Sequence, residues 1–337
     1  MQHIAINEVV LDPSQEGSIA RWRLGPGQEP SPDLSDDVKS SGVPPGTAVE
    51  EPNGHLRLDA AGAGSVSTID RSLLICGNAE EALNLLPQDS VQTAVTSPPY
   101  WSLRDYGARG QIGRDDALSE YLDSLKRTFR GVRRALRPDG TLWLNVGDSY
   151  TSGNRRYRAP DRKNAARAMG VRPPTPEGLK PKDLIGVPWR IALALQEDGW
   201  WLRSEVIWHK PNAHPESVLD RPTKAHETVF LFSKSLHYHY DVTAIKGPHG
   251  RRLRNVWEIP TEPQPSANGS GPEHPAVMPM ALARRCLQLT ARKGSVVLDP
   301  YAGSGTTLRA ARDAGCTWVG VEINRSFVDL IESRLAR

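Results

Sequence analysis

The stretch Val296-Val297-Leu298-Asp299-Pro300-Tyr301-Ala302-Gly303-Ser304-Gly305-Thr306-Thr307 constrains the fold more than any other. A short apolar run ends in an acid, a glycine-rich turn follows, and a helix-forming segment begins. Glycines at such a turn let the backbone come close to a ligand. The turn is not a phosphate loop, because no Gly-Lys-Ser/Thr follows, and Leu308 stands where a full dinucleotide fingerprint needs its third glycine. Alone, it is only a turn. One predicted strand later, however, Val319-Gly320-Val321-Glu322 ends in a second acid.

The same alternation runs back to about Asp70. Strands are predicted at 72–76, 91–96, 141–146, 200–208, 227–232, 295–298 and 318–321. Helices are predicted at 79–86, 118–136, 184–197, 279–290, 306–314 and 326–335. The clearest is Leu118–Leu136, with apolar residues at 118, 122, 125, 129, 132 and 136, a spacing of three and four. Arg137-Pro138-Asp139-Gly140 then breaks it with a turn. Strands alternating with helices imply an α/β architecture with a mostly parallel, doubly wound sheet. An acid at the second strand tip is suited to ribose hydroxyls. Asp299 and Glu322 without a phosphate grip therefore point to a nucleoside lacking phosphates, and S-adenosyl-L-methionine fits that description.

Composition separates a leader from this body. Residues 1–65 hold ten acids and four bases, a net −6, so in a chain of net +3 the remainder carries +9. With turn formers, charge and few aromatics, residues 1–65 read as a leader without a core, apart from a short ordered piece around Ile4–Leu11. Residues 66–337 read as the functional domain. A basic body suggests a polyanionic partner. Segment 149–182 is a long basic loop carrying Arg155, Arg156 and Arg158, and 247–271 reads as irregular. No run of about 18 apolar residues predicts a membrane helix, and the start MQHIAINEVVLDPSQEG has no basic-then-apolar block. Cys76, Cys286 and Cys316 are scattered, so neither a disulfide nor a metal site is expected and a cytoplasmic location fits.

Another predicted strand, Val91–Thr96, closes on Thr96-Ser97-Pro98-Pro99-Tyr100-Trp101. Together with DPYAGSGTT, this motif resembles the amino-group DNA methyltransferases of restriction–modification type. Trp101–Gly107 (WSLRDYG), Trp143–Asp148 (WLNVGD), Trp208–Asn212 (WHKPN) and His274–Pro279 (HPAVMP) extend the resemblance from about Asp70 to the end. The order is the permuted, β-type one, with Ser97 lying 202 residues before Asp299. The resemblance implies a Rossmann-like S-adenosylmethionine-dependent methyltransferase fold acting on double-stranded DNA as a monomer or homodimer, with a cognate restriction endonuclease as companion. The variant with serine first is associated mainly with cytosine N4. The variant with aspartate first is associated mainly with adenine N6, which stands as the alternative.

On that resemblance, Ser97, Pro98, Pro99 and Tyr100 are catalytic. The Ser97 hydroxyl and the Pro98 carbonyl accept from the target amino group, localising its lone pair, and Tyr100 stacks on a flipped base. Asp299, Pro300, Gly303, Ser304, Gly305, Thr306 and Glu322 hold the cofactor, with His274 and Met278 at its methionine end. Asn78 stands where the family usually has an acid. Its amide oxygen suits the adenine amino group, or equally a helix cap for Ala79–Leu86. His209–Asn212 and Arg221–Glu227 (RPTKAHE) resemble stretches flanking the target-base pocket, which implies pocket architecture there first and DNA-backbone contacts second. Arg155, Arg156, Arg158, Lys210, Arg251 and Arg252 are candidate DNA contacts, and 241–273 is the candidate target-recognition segment. None of the three cysteines follows a proline, which argues against the thiolate chemistry of cytosine C5 methylation. RNA and protein methyltransferases with a similar turn place it after the glycine motif, so they fit poorly. A catalytically silent DNA-binding module is opposed by the intact Ser97, Tyr100, Asp299 and Glu322.

Overall fold

The computed structural model describes residues 72–151, 174–213, 215–262 and 277–335, together with the backbone of five strands that precede them. Those five are β1 (His3–Leu11), β2 (Ala20–Leu24), β3 (Thr47–Glu50), β4 (Leu56–Ala60) and β5 (Gly64–Ile69). The body begins with β6 (Ser72–Cys76), α1 (Ala79–Leu83), β7 (Val91–Thr96), α2 (Leu118–Ala135) and β8 (Leu136–Val146). It continues with α3 (Val187–Glu197), β9 (Trp201–His209), β10 (His226–Ser233) and β11 (Val256–Glu258). The last elements are α4 (Met280–Thr290), β12 (Val296–Asp299), α5 (Thr306–Asp313), β13 (Thr317–Glu322) and α6 (Arg325–Leu335).

One sheet joins all the strands in the order β11-β9-β10-β8-β7-β12-β13-β6-β5-β4-β3-β1-β2. From β11 to β6 the eight strands are mostly parallel, and only β10 runs against its neighbours β8 and β9. Beyond β6 the pairs are antiparallel. Strand backbone thus occupies parts of the stretch whose composition reads as a leader, and β5 pairs directly with β6. Short alternating runs such as Leu56-Arg57-Leu58-Asp59-Ala60 carry that signal, but the surrounding glycines and prolines hide it.

Both faces of the parallel part are covered, as a doubly wound sheet requires. Leu73, Ile75, Leu142, Leu144 and Val319 pack beneath α1, α2 and α3. The alternate residues Leu74, Trp143, Val297 and Trp318 point the other way, beneath α4, α5 and α6. Buried polar side chains of β7 and β8 pair with one another and with the end of α4. Thr93 Oγ1 lies 2.9 Å from Thr141 Oγ1 and 3.1 Å from Thr290 Oγ1, and Trp143 Nε1 donates to Thr290 Oγ1 at 3.0 Å. Burial without such partners would cost about 1–3 kcal/mol per group.

Three local expectations change. The turn Arg137–Gly140 does not precede β8 but lies within it. Val91 pairs with Leu136 and Thr93 with Thr141, so the extra residues bulge out of the ladder. In the segment read as irregular, Val256–Glu258 forms β11, because Trp257 is buried against Trp143 with ring centroids 5.6 Å apart. Helix α3 starts at Val187 rather than Leu184, which instead bridges to Tyr150.

The start of α3 is fixed from a distance. Its N-cap, Gly186, has φ +76° and no side chain to offer. Asp148, two residues past β8, accepts the N–H of Gly186 and of Val187 at 3.0 Å and that of Ser149 at 2.9 Å through one oxygen, Oδ1. An acid at a helix N-terminus satisfies orphan donors and suits the helix dipole. Asp148→Ala is expected to lower unfolding free energy by about 1–2 kcal/mol, measured by urea denaturation. An unchanged midpoint would show that these bonds contribute nothing net.

Candidate active site

β7 and β12 are adjacent and parallel, with Thr93 opposite Val297 and Ala94 opposite Leu298. Chain crossovers leave in opposite directions on either side of this pair, so it is the switch point at whose carboxyl edge ligands bind in open α/β sheets. Both motifs are released there. Thr96 Oγ1 donates to Asp299 Oδ1 at 2.6 Å, and the Tyr301 N–H donates to the same oxygen at 3.1 Å. Ser97, Pro99 and Tyr100 line one cleft together with Asp299, Pro300, Gly303, Ser304 and Thr306. Asn78, Met278 and Glu322 line it too. Pro98 is buried behind the turn. Gly305 caps α5 with φ +80°, and a Cβ there would stand 3.0 Å from Ile331. That position needs glycine on both counts.

One end of the cleft is acidic and dry. Glu322 Oε2 accepts the Gly303 N–H and Oε1 the Asn324 N–H, both at 2.8 Å. Burial pushes the Glu322 carboxyl up to about 7 despite these bonds, and burial likewise pushes Asp299 up to about 6. Each Glu322 oxygen keeps a lone pair for a further donor, whereas Asp299 Oδ1 is already engaged by Thr96 and Tyr301. Asn78 uses its amide oxygen as the N-cap of α1, accepting from the backbone N–H of Glu80 at 2.8 Å and of Glu81 at 3.4 Å. The cap reading of Asn78 therefore holds, and both lone pairs of its amide oxygen are engaged by the start of α1. Apolar Pro300, Ile323 and Met278 complete this end. Two buried carboxylates among apolar walls, with Arg127 the one basic side chain among the described residues of the lining, fit a nucleoside lacking phosphates.

The other end holds a second network. Tyr100 Oη donates to Glu227 Oε2 at 2.6 Å and accepts from Ser97 Oγ at 3.2 Å and from Asn145 Nδ2 at 2.9 Å. Asn145 Nδ2 also donates to Glu227 Oε2 at 3.0 Å. Lys210 Nζ is ion-paired with Glu227 Oε1 and sits 4.3 Å above the Trp208 ring. Burial opposes the charge on Glu227, but Lys210 and the bonds from Tyr100 and Asn145 outweigh it and hold this carboxyl below its ordinary range. Burial and the neighbouring carboxylate push the Tyr100 hydroxyl well up, so it stays protonated. The Tyr100 ring lies on Gly147, where a Cβ would come within 2.5 Å of it. Tyr121 Oη donates to the Pro99 carbonyl at 2.8 Å and braces the turn from α2.

Residues 91–333 match the DNA methylase family model for N6- and N4-directed enzymes. The type II methyltransferase M.SmaI of Serratia marcescens is 52% identical over 270 residues, covering 78% of this chain and 90% of that one. M.Cfr9I of Citrobacter freundii, also a type II methyltransferase, is 49% identical over 271 residues, 79% of this chain and 88% of that one. The chain belongs to the N6/N4 DNA methylase family. In fold, the methylase resembles the cytosine-N4-specific PvuII DNA methyltransferase, with TM-score 0.58 and 20% identity over 77% of this chain and 85% of that one. It also resembles the putative DNA modification methylase TTHA0409 of Thermus thermophilus, solved with S-adenosyl-L-methionine, with TM-score 0.55 and 28% identity over 78% of this chain and 92% of that one. The methylase therefore acts on DNA, in a restriction–modification setting, with S-adenosyl-L-methionine as cofactor. Among its described residues no helix is long and apolar enough to cross a membrane.

The remaining candidates distribute unevenly. His274, Arg155, Arg156 and Arg158 lie outside the described residues. Arg251 and Arg252 are exposed on a tight turn closed by the Lys246–Arg252 bridge. Lys210 does not point to solvent: its side chain is 17% exposed and holds Glu227. Asn145 and Glu227 stand inside recognised motif blocks, but the sequence gives Asn145 no role and Glu227 only a share in the pocket architecture of its block. The available signal is a polar residue interrupting an apolar strand, as Asn145 does in Trp143–Val146. Cys286 is buried and its thiol is pushed far up by burial, so it is no nucleophile, and Cys76 is only half-buried.

Two outcomes follow for the methylase. Asp299 and Glu322 keep their protons to higher pH when folded than when unfolded, so they favour the fold below the ordinary carboxylate range and lose that contribution as pH rises through about 6 to 7. Glu322→Gln removes one of these titrations. Across that window its unfolding free energy should gain on the wild type, beyond any constant offset, and a pH-independent difference in urea denaturation would refute the buried titration. Gly147→Ala should displace the Tyr100 ring and lower turnover by about tenfold or more. Cofactor affinity, measured by calorimetry, should stay within about twofold, and loss of cofactor binding instead would place Gly147 at the wrong end of the cleft.

Proposed function

We propose that the methylase transfers the methyl group to the exocyclic N4 of cytosine in duplex DNA, with the target base turned out of the stack. The observation that carries this reading is the Ser97 hydroxyl at the tip of β7, in the same cleft as Asp299 and Glu322. S-adenosylmethionine, when bound, supplies an electrophilic methyl group on a sulfonium. Asp299 and Glu322, Pro300 and the Gly303–Thr306 turn hold it, with Met278 beside them.

The chain's own task is to make a poor nucleophile competent. The lone pair of an aromatic amino group is delocalised into its ring. Ser97 Oγ accepts one N–H and the Pro98 carbonyl the other, which draws the nitrogen toward tetrahedral geometry and localises the pair. The Pro99 carbonyl is engaged by Tyr121, while among the described residues no donor reaches that of Pro98. The two prolines offer no N–H that could compete for it. The Tyr100 ring, pinned on Gly147 by Glu227 and Asn145, forms the wall against which the extruded base stacks, offsetting an unstacking cost of a few kcal/mol. Positioning then does most of the work. A serine at the head of the motif favours cytosine N4 over adenine N6. Exposed Arg251 and Arg252 supply phosphate contacts, which position DNA without reading its sequence.

Nucleoside digests of DNA modified by the pure protein should contain N4-methylcytosine by mass spectrometry. Finding only N6-methyladenine would replace the cytosine reading with the adenine one. Ser97→Ala should lower turnover by about 100-fold or more with cofactor affinity retained.

A further inference from the structure

We infer that Glu227 is a positioning residue that sets the direction of the hydrogen bonds running through Tyr100, so that Ser97 meets the incoming amino group purely as an acceptor. The inference rests on the reading that such a group enters the cleft beside Ser97. It starts from counting protons. Tyr100 has a single hydroxyl proton. That proton is given to Glu227 Oε2 at 2.6 Å. Asn145 Nδ2 has no lone pair to offer and donates both to the Tyr100 oxygen, at 2.9 Å, and to Glu227 Oε2, at 3.0 Å. With its one proton committed, Tyr100 can only accept from Ser97, across 3.2 Å. The Ser97 proton is therefore turned back into the protein, and its lone pairs are left for a donor arriving from the cleft.

The chain has this polarity only because it ends on a group that cannot donate. An ionised carboxylate is acceptor-only, whereas a carboxamide or a protonated acid could return a hydrogen to Tyr100 and reverse every bond up to Ser97. Lys210 holds the other oxygen of Glu227 and favours the ionised form. A hydroxyl free to rotate would present its proton to the amino nitrogen for part of the time, tying up the lone pair that must attack. No bond to Glu227 is made or broken in the reaction. A carboxylate held this strongly by a lysine and two further donors is a weak base, so its action is on orientation.

The test uses the full-length protein. The amino-methyl product of the wild type is identified first, and turnover is then followed with that product. Glu227→Gln should lower kcat by about 10- to 100-fold, with KM for DNA and Kd for S-adenosylmethionine within about threefold. In a Tyr100→Phe background, where the chain is already cut, Glu227→Gln should cost no more than about a further twofold. Glu227→Gln combined with Lys210→Met removes the unpaired buried cation and keeps the test readable if the single variant folds poorly; it should show the same loss of kcat. Unchanged kcat in Glu227→Gln, or a full additive loss in the Tyr100→Phe background, overturns the inference. Wild-type protein that methylates no amino group overturns the proposed function itself, a result distinct from either.

Discussion

The hydrogen bond from Thr96 to Asp299 joins residues 203 positions apart and lies at the floor of the cleft. It forms only because β7 and β12 are neighbours in register. A buried carboxylate without donors would cost several kcal/mol, and here the donor comes from the strand that delivers the Ser-Pro-Pro turn. Each motif is thus built partly out of the other. The glycine turn cannot place its acid without Thr96, and the Ser-Pro-Pro turn starts from the residue that holds that acid.

Two buried carboxylates, Glu322 lining the cleft and Glu227 bonded to the cleft-lining Tyr100, show how environment assigns roles to one functional group. Glu322 takes only backbone N–H donors, and burial wins, raising its pKa. Glu227 is also buried, yet an ammonium and two side-chain donors win there, and its pKa falls. The first is poised to take further donors from a bound molecule. The second is already saturated, and its influence passes through the tyrosine it holds. Asp299 and Asp148 differ in what their oxygens serve. One faces the cleft, and the other spends its oxygen on the start of α3.

What could be read from the residues was what is local along the chain. Strand, glycine turn and helix lie within a dozen residues at Val296–Thr307, and alternation with period 2 or 3.6 marked most elements of the parallel body. The adjacency of β7 and β12 is a long-range property, but it follows from wrapping alternating strands and helices into one sheet. The Glu227 network was not legible. Its members come from β10, the end of β9 and β8, and their meeting depends on antiparallel register, Thr228 opposite Val146 and His226 opposite His209. Lys210 is legible only as part of a block flanking the target-base pocket, or as a DNA contact, without its partner Glu227. β11 was missed because three residues are too few for a period, and the strands before residue 70 because their flanks are rich in turn formers.

The acidic floor of the cleft also ties the lifetime of the protein to its methyl donor. Asp299 and Glu322 are buried at a cost to the fold, and a molecule that donates to them binds only the folded chain. At a concentration 100-fold above Kd, such a ligand adds about 2.7 kcal/mol to stability. Donor bound at this floor would therefore slow proteolysis of the chain, and its withdrawal would lower stability together with activity. For a DNA methylase, the supply of methyl donor would thereby bear on the amount of enzyme as well as on its rate.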